Sequence, residues 1–203
     1  MTPFVLIRHG ATEWNAERRI QGRSDPPLSA AGRRAVRAWR LPEEMRGANG
    51  AAWTWLTSPL ARARQTAALL RPGPEPAPAR PVPALIEMHW GAWEGRRLDE
   101  LRAEGGPAMA EAEARGLDFR PPGGESPRDV QRRLLPLLES LAAAGRPTIA
   151  VSHKGVIRAL YALASGWDMS GRPLETLREP CAHRFLLDPR GAPALDKLNL
   201  PLD

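Results

Sequence analysis

Short apolar runs alternate along the chain with longer stretches in which apolar residues recur at helical spacing. Runs with β-branched or aromatic members predict five buried strands, at 3–7, 53–57, 82–86, 148–152 and 184–188. The stretches between them predict amphipathic helices. Strands that alternate with helices indicate an α/β fold, and we expect a three-layer sandwich with a mainly parallel central sheet flanked by helices. At 203 residues the chain is expected to form one domain, 1–203.

Local signals predict where some of these elements begin and end. Ser29 and Ser58 have the chemistry of helix N-caps, and Pro59 suits the first position of the helix that would follow Ser58. The segment 71–83 contains six prolines and is predicted to be an extended connector. The residues after the last predicted strand carry only a weak pattern.

Two of the predicted strands each end in a histidine. His9 follows the first strand and is flanked by Arg8 and Gly10, and His153 follows the fourth. Open α/β sheets bind ligands beyond the carboxyl ends of their strands, so both imidazoles are candidate site residues. Arg62 lies just after the second strand, in the first turn of a predicted helix, where the helix amides already favour an anion.

Six stretches of the chain, taken in order, carry a resemblance to a known family. They are 8–15 (RHGATEWN), 19–29 (RIQGRSDPPLS), 57–67 (TSPLARARQTA), 87–95 (EMHWGAWEG), 122–126 (PGGES) and 151–158 (VSHKGVIR). With these motifs the chain resembles the histidine phosphatase superfamily, whose members are phosphoglycerate mutase-like. The motifs are well separated and cover most of the chain, so their joint occurrence by chance is very improbable.

The resemblance implies catalytic roles for five residues. His9 is the nucleophile that takes up a phosphoryl group. Glu87 is the proton donor to the leaving group and then the base that activates water. Arg8, Arg62 and His153 neutralise the charge that grows on the phosphoryl oxygens.

The same resemblance implies the residues that bind the substrate. Asn15, Gln21 and the amide of Gly22 donate hydrogen bonds to the phosphoryl group. Lys154 stands where the family usually has glycine, so we expect either a cation at the rim of the pocket or a lysine that faces solvent. The segment 96–124 is the expected lid insertion, which decides how large a substrate fits.

The implied reaction is metal-independent hydrolysis of a phosphomonoester through a phosphohistidine on His9. No cofactor is expected, because the chain has no zinc or calcium ligand spacing and no Gly-rich nucleotide loop. A phosphoglycerate mutase and a non-catalytic phospholigand-binding protein are the alternatives. The family's mutases usually carry Tyr-Gly-x-Leu-x-Gly-Leu-x-Lys after the catalytic glutamate and a longer insertion, whereas this chain has Trp-Gly-Ala-Trp-Glu-Gly at 90–95. The presence of both His9 and Glu87 argues against a protein that only binds a phosphorylated ligand, because binding needs neither a nucleophile nor a proton donor.

Charge and composition narrow the expected partner and location. The net charge of +6 comes almost entirely from scattered arginines, since lysine occurs only at 154 and 197. Without a basic tail or stripe, we expect a small phosphorylated metabolite as partner and no nucleic acid. The sequence contains no signal segment and no apolar run of membrane-spanning length, and Cys181 is its only cysteine. A cytoplasmic protein that does not bind membranes is therefore expected.

Overall fold

A six-stranded sheet forms the centre of the computed structural model, which describes residues 1–46, 53–71 and 78–202. The strands are β1 Thr2–Arg8, β2 Thr54–Thr57, β3 Arg80–Pro81, β4 Thr148–Ser152, β5 Cys181–Leu187 and β6 Pro193–Pro201. They lie in the order β3-β2-β4-β1-β5-β6. The first four are parallel to one another, whereas β5 is antiparallel to β1 and β6 is antiparallel to β5.

Six α-helices are found in the described part of the chain. They are α1 Glu13–Ala16, α2 Ala30–Ala38, α3 Ala61–Leu70, α4 Leu98–Glu113, α5 Pro127–Ala144 and α6 Lys154–Ser165. Helix α4 is broken at Gly106, whose backbone is not helical, as the Gly-Gly-Pro sequence there would lead one to expect. Within the described ranges, none of these helices has the length and apolar character that a membrane crossing requires.

The helices cover both faces of the sheet. In β1, Phe4 and Leu6 belong to one hydrophobic core, while Val5 and Ile7 belong to another on the opposite face. Apolar residues of α2 and α3 pack into the core of Val5 and Ile7, and those of α5 and α6 pack into the other. The predicted three-layer α/β sandwich with a mainly parallel sheet is therefore confirmed.

The carboxyl ends of three neighbouring strands meet at one edge of the sheet. The amide of His9, which follows β1, donates to the carbonyl of Ser152 at 3.0 Å. The amide of Ser58, which follows β2, donates to the carbonyl of Val151 at 2.9 Å. Since His153 follows β4 directly, backbone pairing of the sheet holds both histidines and Ser58 close to one another.

Helix α2 fixes the loop that leaves β1. Its N-cap is Ser29, as predicted, because the Ser29 side chain accepts from the amide of Gly32 at 2.9 Å. The amide of Ser29 also donates to the carbonyl of Ala11 at 3.0 Å. That carbonyl oxygen lies only 2.0 Å from where a Cβ on Gly32 would be. Glycine at this position therefore lets the helix approach the backbone immediately after His9.

The third predicted strand, 82–86, is wrong. Strand β3 lies two residues earlier and is only two residues long, and 83–85 form a turn of 3-10 helix. Pro83 accounts for the difference, because its fixed φ suits the start of a helical turn and it has no amide for a ladder. Just after β3, the amide of Val82 donates a hydrogen bond to the carbonyl of Thr57 at the end of β2, at 2.8 Å.

The start of α3 and the proline-rich connector were also predicted from the sequence. The N-cap of α3 is Leu60 and not Ser58, so Pro59 is not the first helical residue. The side chain of Asp25, from a distant loop, accepts from the first amide of α3 and takes over the capping role. Of the proline-rich connector predicted at 71–83, residues 72–77 lie outside the described residues.

Strand β6 is an element that the sequence pattern did not predict. It lies at the edge of the sheet against β5, which itself begins three residues before the predicted strand. Its central residues are exposed, and Asp196 and Lys197 form ion pairs with Arg184 and Glu44. A charged edge strand needs no apolar alternation, so hydrophobic periodicity does not reveal it.

Candidate active site

A cavity of about 550 Å³ opens at the edge where β1, β2 and β4 end. Eight residues that the sequence analysis assigned to the site line it: Arg8, His9, Asn15, Gln21, Gly22, Arg62, Glu87 and Lys154. The ninth, His153, is fully buried and does not line the wall. It lies behind His9, with a distance of 5.1 Å between the centroids of the two rings. The structure therefore brings all nine residues into one region.

The backbone fixes the tautomer of His9. Its Nδ1 lies 2.7 Å from the carbonyl oxygen of Gly10. A carbonyl can only accept, so Nδ1 carries the hydrogen and Nε2 of the neutral ring keeps its lone pair. Burial lowers the pKa of His9 well below its usual value, and the positive charges of Arg8 and Arg62 lower it further. His9 is thus held as a neutral imidazole with a basic nitrogen.

The second histidine, His153, is oriented by Ser58, which the sequence had suggested as a helix N-cap. Nε2 of His153 lies 2.7 Å from Oγ of Ser58. That hydroxyl also accepts from the amide of Leu60 at 3.3 Å, and it can either donate to the imidazole or accept from it. Nδ1 of His153 is buried and has no hydrogen-bond partner among the described residues. Burial, followed by the charges of His9 and Arg62, lowers the pKa of His153 well below its usual value.

Arg62 is a completely buried cation at the N-terminal end of α3. Its Nη1 and Nη2 donate to the carbonyls of Ser24 and Gly22, each at 2.7 Å. The nearest carboxylate is that of Asp25, at 3.7 Å and partly exposed. Two neutral carbonyls supply its closest hydrogen bonds, while the carboxylates of Glu87 and Asp25 favour its charged form from a greater distance.

Glu94 fastens the loop that Arg62 contacts. Its carboxylate accepts from the amide of Arg23 at 2.9 Å, from the amide and hydroxyl of Ser24 at 2.8 and 2.7 Å, and from the amide of Trp90 at 3.2 Å. A side chain on Gly22, whose φ is +52°, would collide with this carboxylate at 2.2 Å. Glu94 therefore holds the loop of Gly22 to Ser24 in the position from which its carbonyls bind Arg62.

Asn15, in the short helix α1, and Gln21, in the loop that follows it, have unused hydrogen-bonding groups. The Oδ1 of Asn15 accepts from the amide and hydroxyl of Thr12, at 2.9 and 3.1 Å. This capping box leaves the Asn15 amino group as the part that can bind a ligand. Oε1 of Gln21 is buried and has no hydrogen-bond partner in the described ranges.

Glu87 is the buried carboxyl of the pocket. Oε1 accepts from the amide of Met88 at 2.8 Å, and Oε2 accepts from the amide of Gly155 at 3.2 Å. Burial raises the pKa of Glu87, although the two amides and the charges of Arg62 and Arg8 oppose the rise. A Cβ on Gly155 would lie 2.5 Å from Oε1. The glycine that this site requires is therefore at 155, and the replacement of its neighbour by Lys154 leaves the contact intact.

Arg8 has a partner that sequence patterns did not indicate. Its guanidinium forms an ion pair with Glu179, from the segment between α6 and β5. The two residues are 171 positions apart, so only the folded chain brings them together. Lys154, by contrast, is exposed on the cavity wall at the first position of α6. Lys154 thus both lines the cavity and is open to solvent, and its part in binding a substrate stays a prediction.

The predicted lid segment, 96–124, supplies one wall of the cavity. Leu98 and Phe119 contribute apolar surface, and the ring of Phe119 lies 6.0 Å from that of Trp90. Arg102 and Glu113 also line this wall and bind each other at 2.7 Å. From the sequence, only the apolar residues of this segment could have indicated a cavity wall. Their positions around the cavity depend on the fold.

The remaining histidines lie outside the cavity. His89 approaches Glu94, with 3.7 Å between Nε2 and Oε1. His183 is buried in β5, where its Nδ1 accepts from the amide of Asn199 at 3.3 Å. In the described residues, no group of three or more histidine, cysteine or acidic side chains is arranged to hold a metal ion.

Comparisons with known proteins agree with this geometry. The sequence profile of the histidine phosphatase superfamily (branch 1) matches residues 4–200. A 2,3-bisphosphoglycerate-dependent phosphoglycerate mutase of Methylobacterium radiotolerans is 36% identical over 171 residues, which are 80% of this chain and 79% of the mutase. A probable phosphoglycerate mutase of Klebsiella pneumoniae is 38% identical over 159 residues, covering 75% of this chain and 70% of that protein.

A solved structure of a phosphatase is also similar. The mycobacterial glucosyl-3-phosphoglycerate phosphatase complexed with VO3 superposes with a TM-score of 0.78 at 30% identity. The match covers 98% of this chain and 100% of the phosphatase. Relatives named as mutases and relatives named as phosphatases therefore both share this fold and sequence pattern.

The environment of the two pocket histidines predicts their titration. Burial and neighbouring cations disfavour imidazolium, so His9 and His153 should stay neutral as the pH falls through about 6.5, the value for an exposed histidine. Heteronuclear NMR of histidine-labelled protein measures this, with the resonance of His9 assigned by its loss in His9→Ala. Protein unfolded in urea is the control, since its histidines titrate normally. A folded-state titration of either residue near 6.5 would contradict the electrostatic description.

Proposed function

The chain belongs to branch 1 of the histidine phosphatase superfamily, whose enzymes transfer phosphoryl groups, and on that premise we propose that it hydrolyses phosphomonoesters. The observation that carries the proposal is the shared pocket of His9 and Glu87. His9 is a neutral imidazole with a free lone pair, and Glu87 is a buried carboxyl with a raised pKa. A nucleophile and a proton donor in one cavity match the needs of a double displacement at phosphorus.

The proposed reaction has two chemical steps. In the first, Nε2 of His9 forms a bond to phosphorus, the bond to the ester oxygen breaks, and the protonated Glu87 gives its proton to that oxygen. In the second, water attacks the phosphohistidine, and the Glu87 carboxylate takes the proton of the water. The bond between Nε2 and phosphorus breaks, inorganic phosphate leaves, and both residues return to their starting states.

Charge on the transferring group is stabilised by the protein's own cations. Arg62 is buried and makes its closest hydrogen bonds to two backbone carbonyls, and Arg8 lines the same wall. In this mechanism His153 carries its hydrogen on the unpartnered Nδ1 and donates it to the phosphoryl group, while Asn15 of α1 and Gln21 of the following loop offer amide groups. These donors are fixed before the substrate binds, so little reorganisation opposes the reaction. The proposed mechanism therefore uses no metal.

Hydrolysis is the favoured outcome for the phosphoenzyme. The structure of a phosphatase superposes over 98% of this chain and over all of its own length. The short sequence Trp-Gly-Ala-Trp-Glu-Gly after Glu87 differs from the family's mutase motif. Mutase activity is the second candidate function, because relatives with that name are 36–38% identical to this chain. The phosphoglycerates in the names of both groups support a small phosphorylated metabolite as substrate.

We predict that wild-type protein releases inorganic phosphate from phosphomonoesters and that His9→Ala does not. Phosphorus NMR on a panel that includes 3-phosphoglycerate follows the products directly. His9 lies in a loop and adds little to the core, so circular dichroism should show that the variant keeps its fold. His89→Ala is the matched control, because this histidine is outside the cavity. Formation of 2-phosphoglycerate, stimulated by 2,3-bisphosphoglycerate and without release of phosphate, would identify a mutase.

Glu87→Gln should lower the rate by about 10²–10⁴ for alkyl phosphates and by less for p-nitrophenyl phosphate, whose leaving group needs no proton. Since His9 must be neutral and Glu87 protonated, the wild-type kcat should form a bell with its maximum in mildly acidic solution. The alkaline limb reports loss of the Glu87 proton and should disappear in the variant. Glu139→Gln, on the exposed face of α5, is the control. Equal losses on both substrates in the first, phosphate-transferring step, measured in single turnovers, would show that Glu87 is not the acid.

A further inference from the structure

The segment that carries Glu87 belongs to no helix or strand. Strand β3 ends at Pro81, residues 83–85 form a turn of 3-10 helix, and residues 86–90 have no regular secondary structure. The sheet therefore supplies no ladder of hydrogen bonds to fix the backbone around the proposed proton donor. Its carboxyl is nevertheless buried and bound to two amides, so contacts from other elements must hold this segment in place.

Side chains of α5 and β4 bind the backbone just before the proposed proton donor. Arg133, on α5, donates from Nη1 to the carbonyl of Ala84 and from Nη2 to the carbonyl of Ile86, the latter at 2.6 Å. Between these two contacts, the hydroxyl of Ser152 donates to the carbonyl of Leu85 at 2.8 Å. Three successive carbonyls are thus bound by side chains, and the last of them belongs to the residue that immediately precedes the carboxyl-bearing one.

Glu125 binds the backbone after Glu87. Its Oε2 accepts from the amide of His89 at 3.0 Å, and its own amide donates to the carbonyl of the same residue at 2.8 Å. A Cβ on Gly124 would lie 2.5 Å from that carbonyl oxygen, so glycine is needed for this close approach. The segment is therefore fixed two residues after Glu87 as well as one residue before it.

Arg133 and Glu125 are joined to each other by an ion pair. Nε of the arginine lies 3.4 Å from Oε1 of the glutamate, and each side chain is only 19% exposed. The same Oε1 accepts from Arg23 at 2.8 Å. Burial lowers the pKa of Arg133, while the carboxylates of Glu125 and Glu87 oppose this and favour its charged form. The contacts on either side of Glu87 thus belong to one largely buried ion pair, Arg133 with Glu125, which we call the clamp.

The clamp lies outside the space where a substrate would bind. Neither Arg133 nor Glu125 is among the described residues that line the catalytic cavity. Helix α5 is also attached to the core without this arginine, because Val130 and Leu134 of the same helix are completely buried in it. An effect of Arg133 on the reaction would therefore have to act through the groups that it holds.

We propose that Arg133 is a positioning residue for Glu87 and that Glu125 completes the clamp. By holding the main chain on both sides of the carboxyl, the pair keeps the carboxyl oxygens at the amides of Met88 and Gly155 and keeps the carboxyl at the wall of the cavity. The proposal rests on the proposed function, because it takes Glu87 as the group that protonates the leaving oxygen. A misplacement of about 1 Å can cost about 100-fold in rate, so a loosened clamp should have a large effect.

Arg133→Lys tests the clamp without removing its charge. One ammonium cannot bind two carbonyls in the geometry of the guanidinium fork, while the ion pair with Glu125 can remain. In single turnovers, we expect phosphoryl transfer from 3-phosphoglycerate to slow by about 10- to 100-fold. Transfer from p-nitrophenyl phosphate, whose leaving group needs no proton, should slow by about threefold or less. Arg132→Lys is the matched control, since this neighbouring arginine is exposed and pairs with Asp129.

A double substitution separates positioning from general damage to the fold. If Arg133 acts through the carboxyl, Arg133→Lys should cost about twofold or less in the Glu87→Gln background, where no proton donor is left to misplace. Glu125→Ala, which removes the side-chain contact after Glu87, should show the same dependence on the leaving group as Arg133→Lys. Free guanidinium at millimolar concentration should restore part of the rate of Arg133→Ala on 3-phosphoglycerate and leave the rate of Arg132→Ala unchanged. Circular dichroism and thermal unfolding verify that each variant is folded.

The amide resonances of Met88 and Gly155 report the position of the carboxyl without turnover. Both amides bind Glu87, so heteronuclear NMR should show both resonances shifted in Arg133→Lys and unchanged in Arg132→Lys. If the wild-type protein hydrolyses no phosphomonoester, this result would still support the clamp, and only the catalytic proposal would fail.

Three results would overturn the proposal. They are a normal or equally reduced rate on both substrates in single turnovers of Arg133→Lys, the same loss with and without Glu87→Gln, and amide resonances of Met88 and Gly155 that Arg133→Lys leaves in place. Each would mean that Arg133 only fastens α5 to the neighbouring turn.

Discussion

Positive charge that is buried without an equal amount of negative charge is the constraint on which the site depends. Arg62 is completely buried and its nearest hydrogen-bond partners are two backbone carbonyls. This arrangement is costly in the empty protein and becomes favourable when a phosphoryl group occupies the pocket. Burial is the main cause of the lowered pKa of His9 and His153, and the neighbouring positive charges lower it further. In the proposed mechanism these charges therefore help both to bind the anion and to keep the nucleophile neutral.

The fold provides this arrangement through backbone contacts. Parallel pairing of β1, β2 and β4 aligns the ends of three strands, so His9, Ser58 and His153 are neighbours before any side chain is considered. Glycines then allow other elements to come close. Gly32 admits the carbonyl of the loop after His9, and Gly155 admits the carboxylate of Glu87. A side chain at either position would displace the groups that the proposed chemistry needs.

Sequence reasoning predicted the sheet and the proximity of the site residues because both follow from local signals. Apolar runs mark the strands, and histidines at their ends mark one edge of the sheet. The failures share a cause, which is dependence on distant parts of the chain. The ion pair of Arg8 with Glu179 joins opposite ends of the sequence, and Asp25 caps a helix that Ser58 was expected to cap. Strand β6 is held by pairing and charge at the sheet edge, without an apolar pattern. A second cavity, between α6 and the segment before β5, likewise exists only when these parts are folded together.

In the proposed mechanism His9 carries the phosphoryl group between the two steps. Trapping this phosphoenzyme is the most direct test of the mechanism. Rapid quenching of wild-type protein during turnover of a radiolabelled phosphomonoester, followed by mass spectrometry of peptides, locates the label. We expect an acid-labile phosphate on His9 that forms before inorganic phosphate is released. Release of inorganic phosphate with no labelled protein, or a label on any other residue, would contradict it.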